Sequence, residues 1–403
     1  MSNSQQTTKL ADIGKVLMCK RVLKNQTSES GEIPFFKIST FGGKADTFIT
    51  KDLYDSYCKK YPHPKEGDIL ISAAGTVGKT VIFNGVPAYF QDSNIVWIDN
   101  DESKVLNSYL YYFYQTKPWL TTEGSTIKRI YNDNLRGIQI SHPDIPGQQK
   151  IAAVLSALDA KIELNNRINA ELEGMAKTLY DYWFVQFDFP NAKGKPYKSS
   201  GGKMVWNEAL KRQLPPAWKV AELSDIANIT MGQSPPGESY NEDGEGTIFF
   251  QGCTDFGNRF PTGRQFTTQP TRFAKTGDIL LSVRAPVGTI NIAQENCCIG
   301  RGLAALNSKD NCIAYLFGVM INLKQIFERR NVNGTTFGSI TKDDLYSLKV
   351  LRPDNKILEE YQKAINPTFE KQNTIELENQ TLAELRDWLL PMLMNGQVKV
   401  EIS

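Results

Sequence analysis

The chain has 403 residues, a formal charge of +2, 40% hydrophobic side chains and 10% aromatic ones. That length favours two or three folding units over one, and the apolar content excludes a chain disordered throughout. Near-neutral charge neither indicates nor excludes nucleic acid, so the overall charge is silent on the kind of partner.

The start, residues 1–9, is polar and lacks the apolar core of a signal peptide. The longest apolar candidate for a membrane segment, 389–394, is interrupted by Pro391. Six cysteines occur without a CxxC pair, which fits neither a disulfide framework nor a zinc site and suits a reducing cytoplasm.

Short β-branched and aromatic runs at 68–72, 80–83 and 95–98, bounded by Gly, Pro and Asn, predict strands. The stretch 105–115 predicts a helix whose tyrosines pack rather than stack on bases. A strand-like segment at 137–140 is stopped by Pro143-Asp144, which prepares a helix start. Ile151, Leu155, Leu158, Ile162, Asn165, Asn169, Leu172, Ala176 and Leu179 then keep heptad a/d spacing. Asn165 and Asn169 are costly in such a seam but specify register. The stretch 188–215, rich in Lys, Gly, Ser and Pro, reads as a connector rather than a core element.

Beyond it the chain repeats itself. Leu10, Asp12, Ile13 and Met18 return as Leu223, Asp225, Ile226 and Met231; Gly31, Ile33, Phe35, Phe41 and Gly42 return as Gly246, Ile248, Phe250, Phe256 and Gly257. Gly67-Asp68-Ile69-Leu70 with Ser72, Val77 and Gly78 returns as Gly277-Asp278-Ile279-Leu280 with Ser282, Val287 and Gly288. Tyr109-Leu110 returns as Tyr315-Leu316, and Gly124, Thr126, Ile130, Asp133 and Leu135 match Gly334, Thr336, Ile340, Asp343 and Leu345. One matching block could be chance likeness between Gly-rich turns; this many in one order mean duplication.

The second copy also ends in a strand-like segment, 347–351, then Pro353-Asp354 and a heptad seam of Leu358, Tyr361, Ile365, Thr368, Gln372, Ile375, Asn379, Leu382, Arg386 and Leu389. Pro367 is expected to kink this helix or mark a fresh start. A seam of about 40 residues would run ~60 Å, longer than a small domain, so each helix is expected to pair with the other.

The segment Ala73 to Thr80 imitates a phosphate-binding loop, but its first position is Ala73 rather than Gly, and the repeated loop lacks the lysine. Asn366-Pro367-Thr368-Phe369 echoes the Asn-Pro-Pro-aromatic motif of adenine methyltransferases, yet it lies among the heptads with no glycine-rich loop for S-adenosylmethionine nearby. His63 and His142 are not repeated in the second copy and have no metal-ligand spacing, so no metal or catalytic role is expected.

The most distinctive stretches are Leu155-Ser156-Ala157-Leu158-Asp159, Leu164-Asn165-Asn166-Arg167-Ile168-Asn169, Leu179-Tyr180-Asp181-Tyr182-Trp183-Phe184 and the C-terminal run from Leu385-Arg386-Asp387-Trp388 to Gln397. With the two Gly-Asp-Ile-Leu strands they resemble, over essentially the whole chain, the specificity subunits of type I restriction–modification enzymes. The resemblance implies an α+β architecture: two similar mixed α/β target-recognition domains, separated by two long helices paired as an antiparallel coiled coil, with pseudo-two-fold symmetry. The boundaries expected are 1–145 and 216–352 for the domains, 146–187 and 353–403 for the helices and tail, and 188–215 for the connector.

The resemblance further implies a non-catalytic, cytoplasmic protein that binds double-stranded DNA, each domain reading one half of a bipartite asymmetric site. Its partners would be two modification subunits, which bring S-adenosylmethionine, and restriction (motor-nuclease) subunits, which consume ATP with Mg. No cofactor is expected in this chain. The candidate DNA contacts are loop residues in comparable places of the two copies: Lys20, Arg21, Lys24, Lys79, Lys128 and Arg129 in the first, and Arg259, Arg264, Arg284, Arg301, Thr335 and Thr336 in the second.

Overall fold

A computed structural model of the chain describes residues 5–119, 129–332 and 339–400. They fall into two compact units, one drawn from Met1–Glu163 with Gln380–Ser403 and the other from Leu164–Asn379.

In the first unit, Gln6–Lys9 pairs antiparallel with Gln139–His142. A four-stranded antiparallel sheet follows, in the order Gly14–Leu17, Ile95–Asn100, Ile69–Ser72, Thr80–Ile82. The period of two along its central strands divides the core. Ile69, Ile71, Val96 and Ile98 join a cluster with the tyrosines of helix Asn107–Gln115, while Leu70, Ile95 and Trp97 join one with Phe35 and Tyr89 from a second sheet. That sheet has the order Phe48–Ile49, Ile33–Phe36, Tyr89–Phe90, its last pair parallel. Tyr109, Tyr112 and Tyr114 are buried, so the expected packing role of the helix holds.

The second unit repeats this topology. Lys219–Glu222 pairs with Lys349–Arg352, and the four-stranded sheet runs Ala227–Met231, Leu303–Ser308, Ile279–Ser282, Ile290–Ile292. Thr247–Phe250 lies parallel to Cys297–Ile299, as its counterpart does. Tyr109 donates its hydroxyl to the Ser141 carbonyl (3.0 Å), and Tyr315 donates to that of Leu351 (2.6 Å). The small sheets differ: in the second unit Tyr240–Asn241 adds to Phe266–Thr267, and strand Phe273–Ala274 precedes Ile279–Ser282 where the first unit builds helix Lys51–Lys60 between Phe48–Ile49 and Ile69–Ser72.

Helices Ile145–Tyr180 and Asn355–Met394 carry the seams. Every residue named above for the two seams is buried or half-buried. In the first unit Ile151, Ala152 and Leu155 cluster with Leu389, Leu390, Leu393 and Met394, and Arg386 bonds Asp159 at 3.0 Å. In the second, Asn165 donates to Glu378 (2.8 Å) and Asn379 (2.9 Å), Asn169 donates to Glu376 (3.2 Å), and Tyr180 meets Tyr361 edge-on. Within each unit the two helices therefore run antiparallel. The start of the first helix is pinned by fully buried Gln148, which donates to the Lys104 (2.9 Å) and Pro143 (3.0 Å) carbonyls and accepts from the Leu106 amide (2.8 Å). His142 beside it shares a bond with Thr8 (2.9 Å) and serves the same junction.

Two expectations are corrected. The second helix is continuous through Pro367, because the proline ring lies on the exposed side and the carbonyl it leaves unpaired belongs to a solvent-facing turn. The connector is a core element. Phe189 and Leu214 are buried with the flanking Phe187 and Trp218 in the second unit, Phe189 stacks on Tyr197 at 4.7 Å, and Val205–Asn207 pairs with Arg212–Leu214.

Gly318 lies where an added Cβ would sit 2.1 Å from the Tyr180 ring, whereas Gly174 on the exposed helix has nothing within 4 Å. Gly318→Ala is expected to destabilise the protein by about 1–3 kcal/mol and Gly174→Ala to stabilise it by up to ~1 kcal/mol. Denaturant midpoints of the two variants check both signs.

Candidate nucleic-acid interface

The sites begin at the loops that leave the central strands Ile69–Ser72 and Ile279–Ser282. Ser72 is buried; its hydroxyl accepts from the Lys79 amide (2.8 Å) and donates to the Thr76 carbonyl. Ser282 repeats this with the Thr289 amide (3.2 Å) and the Pro286 carbonyl. Gly78 and Gly288 both take positive φ (84° and 89°) and donate to the carbonyls of Ser72 and Ser282. The amides of Gly78 and Lys79 are thus consumed inside the loop and cannot cradle a phosphate. The chain continues as a strand, and the Lys79 ammonium donates to the Phe41 carbonyl at 2.7 Å.

Each loop also meets the segment that opens the short helix near the end of its domain. Ile130 donates to the Ala73 carbonyl, and Ile340 to that of Val283, both at 2.8 Å. One residue along, isolated antiparallel bridges join Ala74 to Arg129 and Arg284 to Ser339. The two copies therefore hold an arginine on the same bridge but supply it from opposite sides.

Arg129 donates to the Ser93 carbonyl (2.7 Å) and lies 5.9 Å from the ring of Tyr131, which is 64% exposed. Arg284 is exposed and has no ion pair among the described residues. Arg21 pairs with Asp92 at 2.9 Å, so the turn at Asp92-Ser93 gathers Arg21 and Arg129. Lys24 shares a groove with Arg21, Lys37 and Gln91. Lys20 is exposed, its ammonium 5.2 Å from the Tyr61 ring.

In the second unit Gly300 plays the part of Gln91. Each donates to the neighbouring strand, at Phe250 or Phe36, and accepts from the start of the next, at Leu303 or Ile95. The following residue is Asp92 in one copy and exposed Arg301 in the other, a reversal of charge at one position. Arg264 is exposed and paired with Asp255. Lys128, Thr335 and Thr336 lie outside the described residues.

Arg259 is corrected: it is only 6% exposed, its guanidinium bonded to Asn373 (2.7 Å) and Gln372 (3.1 Å) of the long helix, where no duplex can reach it. Sequence reasoning also passed over Tyr131, because its counterpart in the repeat is Thr341 and the comparison of copies hides it. Among the described residues no group of His, Cys, Asp and Glu could hold a metal ion, and no helix is long and apolar enough to cross a membrane.

Residues 2–174 and 215–387 each match the model of the type I restriction modification DNA specificity domain. The MjaX type I restriction enzyme specificity subunit of Methanocaldococcus jannaschii is 31% identical over 83% of this chain and 79% of its own length. A type I restriction enzyme specificity subunit of Haemophilus influenzae is 57% identical over 150 residues; the match spans 37% of this chain and 39% of that relative. Among solved structures, the type I restriction-modification system S subunit from M. genitalium is similar in fold, with a TM-score of 0.58 at 17% identity over 100% of this chain and 98% of that one. The chain belongs to the family of type I restriction modification DNA specificity proteins.

Removing a loop hydroxyl tests the scaffold. Ser282→Ala leaves the Thr289 amide without its partner and the Pro286 carbonyl with only the Thr289 hydroxyl at 3.5 Å, and is expected to cost about 1–3 kcal/mol, with Ser72→Ala alike. Faster amide exchange confined to 283–289, or to 73–79, is the expected signature.

Proposed function

We propose that this chain is the DNA-reading subunit of a type I restriction–modification complex, with no catalytic site of its own, and that each recognition domain reads one half of a bipartite asymmetric site. The observation that carries this is the bridge beside each loop. One backbone scaffold presents Arg129 in the first copy and Arg284 in the second, from different segments. Equal scaffolds suit duplex DNA, whose backbone is two-fold symmetric; unequal side chains suit half-sites of different sequence. The reversal from Asp92 to Arg301 adds to that difference.

The paired helices carry the remaining parts of the reading. They hold the domains with pseudo-two-fold symmetry, set the unread spacer and dock two modification subunits. Those subunits bring S-adenosylmethionine and methylate adenine N6, while restriction subunits consume ATP with Mg. Cofactor chemistry is thus assigned to partners, and this chain contributes position and sequence.

Methylation mapping with the modification subunit present tests the base reading. Arg284→Ala should relax discrimination in one half-site by roughly 1–3 kcal/mol, and Arg129→Ala in the other, as loss of a bidentate arginine–guanine contact would. An equal loss on all sequences would make both residues phosphate contacts and sink the assignment.

The ruler has its own test. Seven residues added to each helix preserve the seam and lengthen it by ~10 Å. At ~34 Å per turn of DNA this is at most about three base pairs, so one to three extra base pairs are expected with both half-sites unchanged. An active variant that keeps the original spacer would show that the helices do not measure it.

A further inference from the structure

Arg259 stands in the loop between Thr247–Phe250 and Phe266–Thr267 of the second recognition domain. The loop's backbone is held firmly: the Ile292 amide donates to the Arg259 carbonyl, and Asn291 donates its side-chain amide to the Gly257 carbonyl, each at 2.9 Å. Its side chain leaves the domain and ends on the C-terminal helix. Nε donates to Asn373 at 2.7 Å and Nη1 to Gln372 at 3.1 Å, with the guanidinium 5.0 Å from the Phe369 ring and 5.9 Å from that of Phe317.

This is an expensive way to pack a loop. Burial lowers the guanidinium pKa to about 10, an effect opposed by Glu173 and Glu376, so the charge survives at neutral pH inside the unit. An apolar side chain of similar volume would pack there with a smaller desolvation penalty. What an apolar side chain cannot supply is direction. A planar fork that meets two successive helix residues fits one height and one angle; a shift of one residue turns both amides away by about 100°. Gln372 is itself a seam residue, 1% exposed, so the fork refers the domain to the helix pairing. The repeat aligns Arg259 with Lys44, which is exposed, so the first domain has no such fork at this position.

We propose that Arg259 is a positioning residue that indexes the second recognition domain on the C-terminal helix, and so fixes where its half-site is read relative to the helix pair. This rests on the reading of the chain as a bipartite DNA reader.

The experiment uses the full chain with its modification subunits and a set of duplexes in which both half-sites are constant and the spacer is native, one base pair shorter or one longer. Arg259→Met keeps the packing between the phenylalanines and removes the fork; Asn373→Ala weakens it from the helix side. Both variants are expected to methylate with unchanged half-site sequences. Their preference for the native spacer should fall about tenfold or more, as loss of charge-assisted hydrogen bonds would produce. Wild-type spacer preference in both variants, at unchanged melting temperature, overturns the proposal. So does loss of sequence discrimination in the second half-site, which would make Arg259 a support of the reading surface rather than of its position. If Arg259→Met fails to fold, Asn373→Ala decides alone. Failure of the wild-type complex to recognise any bipartite sequence would instead refute the underlying reading.

Discussion

A buried side-chain amide needs hydrogen-bond partners, and that requirement sets the helix pairing on which the rest of the second unit depends. Asn165, 1% exposed, donates to Asn379 and Glu378; Asn379 donates in turn to Asn166 at 3.0 Å, and Asn169 to Glu376. Sliding one helix by a turn would break these bonds together, at roughly 1–3 kcal/mol for each group left buried and unpaired. Burial raises the Glu376 pKa, and Arg259, Asn169 and Asn379 work against that shift. An apolar seam would be more stable and less particular about register. In the first unit Asp159 serves a similar end, accepting from Arg386 at 3.0 Å and from Tyr112 at 2.8 Å.

The same comparison explains how each domain meets its helices. Tyr112 reaches out from helix Asn107–Gln115 to the seam carboxylate. Its counterpart in the repeat is Gly318, and the space so released is filled by the ring of Tyr180, stacked on Tyr315 at 5.9 Å. The first domain is thus tied by a hydroxyl, the second by an aromatic cluster and the Arg259 fork. Two descendants of one domain have kept their sheets and changed their attachments.

Much of this was legible in the sequence because it is written in short periods. The short apolar run Ile69-Leu70-Ile71 gives a strand, here buried on both faces, and a/d spacing from Ile151 to Leu179 gives a helix with one buried stripe. The duplication then supplied the second domain. What stayed hidden depends on contacts between distant segments. Nothing local distinguishes Arg259, which is buried, from Arg284, which is exposed. The Lys-Gly-Ser-rich stretch 188–215 has the composition of a connector, yet Phe189 and Leu214 within it are core residues. By pattern Pro367 predicts a kink or a fresh start, because a proline's cost depends on whether its turn faces water, which pattern alone does not reveal.

Helix Lys51–Lys60 in one unit and strand Phe273–Ala274 in the other depart from equivalent hairpin strands and rejoin at the same central strand. The helix lays Tyr54 and Tyr57 against Tyr89, whereas the strand widens the small sheet by pairing with Cys297–Ile299. The segment between these two anchor points thus changes its secondary structure while the strands on either side keep theirs. Because both anchors are shared, the four-stranded sheet is the same whether a helix or a strand bridges them, and the surface between the anchors is set by the bridge alone.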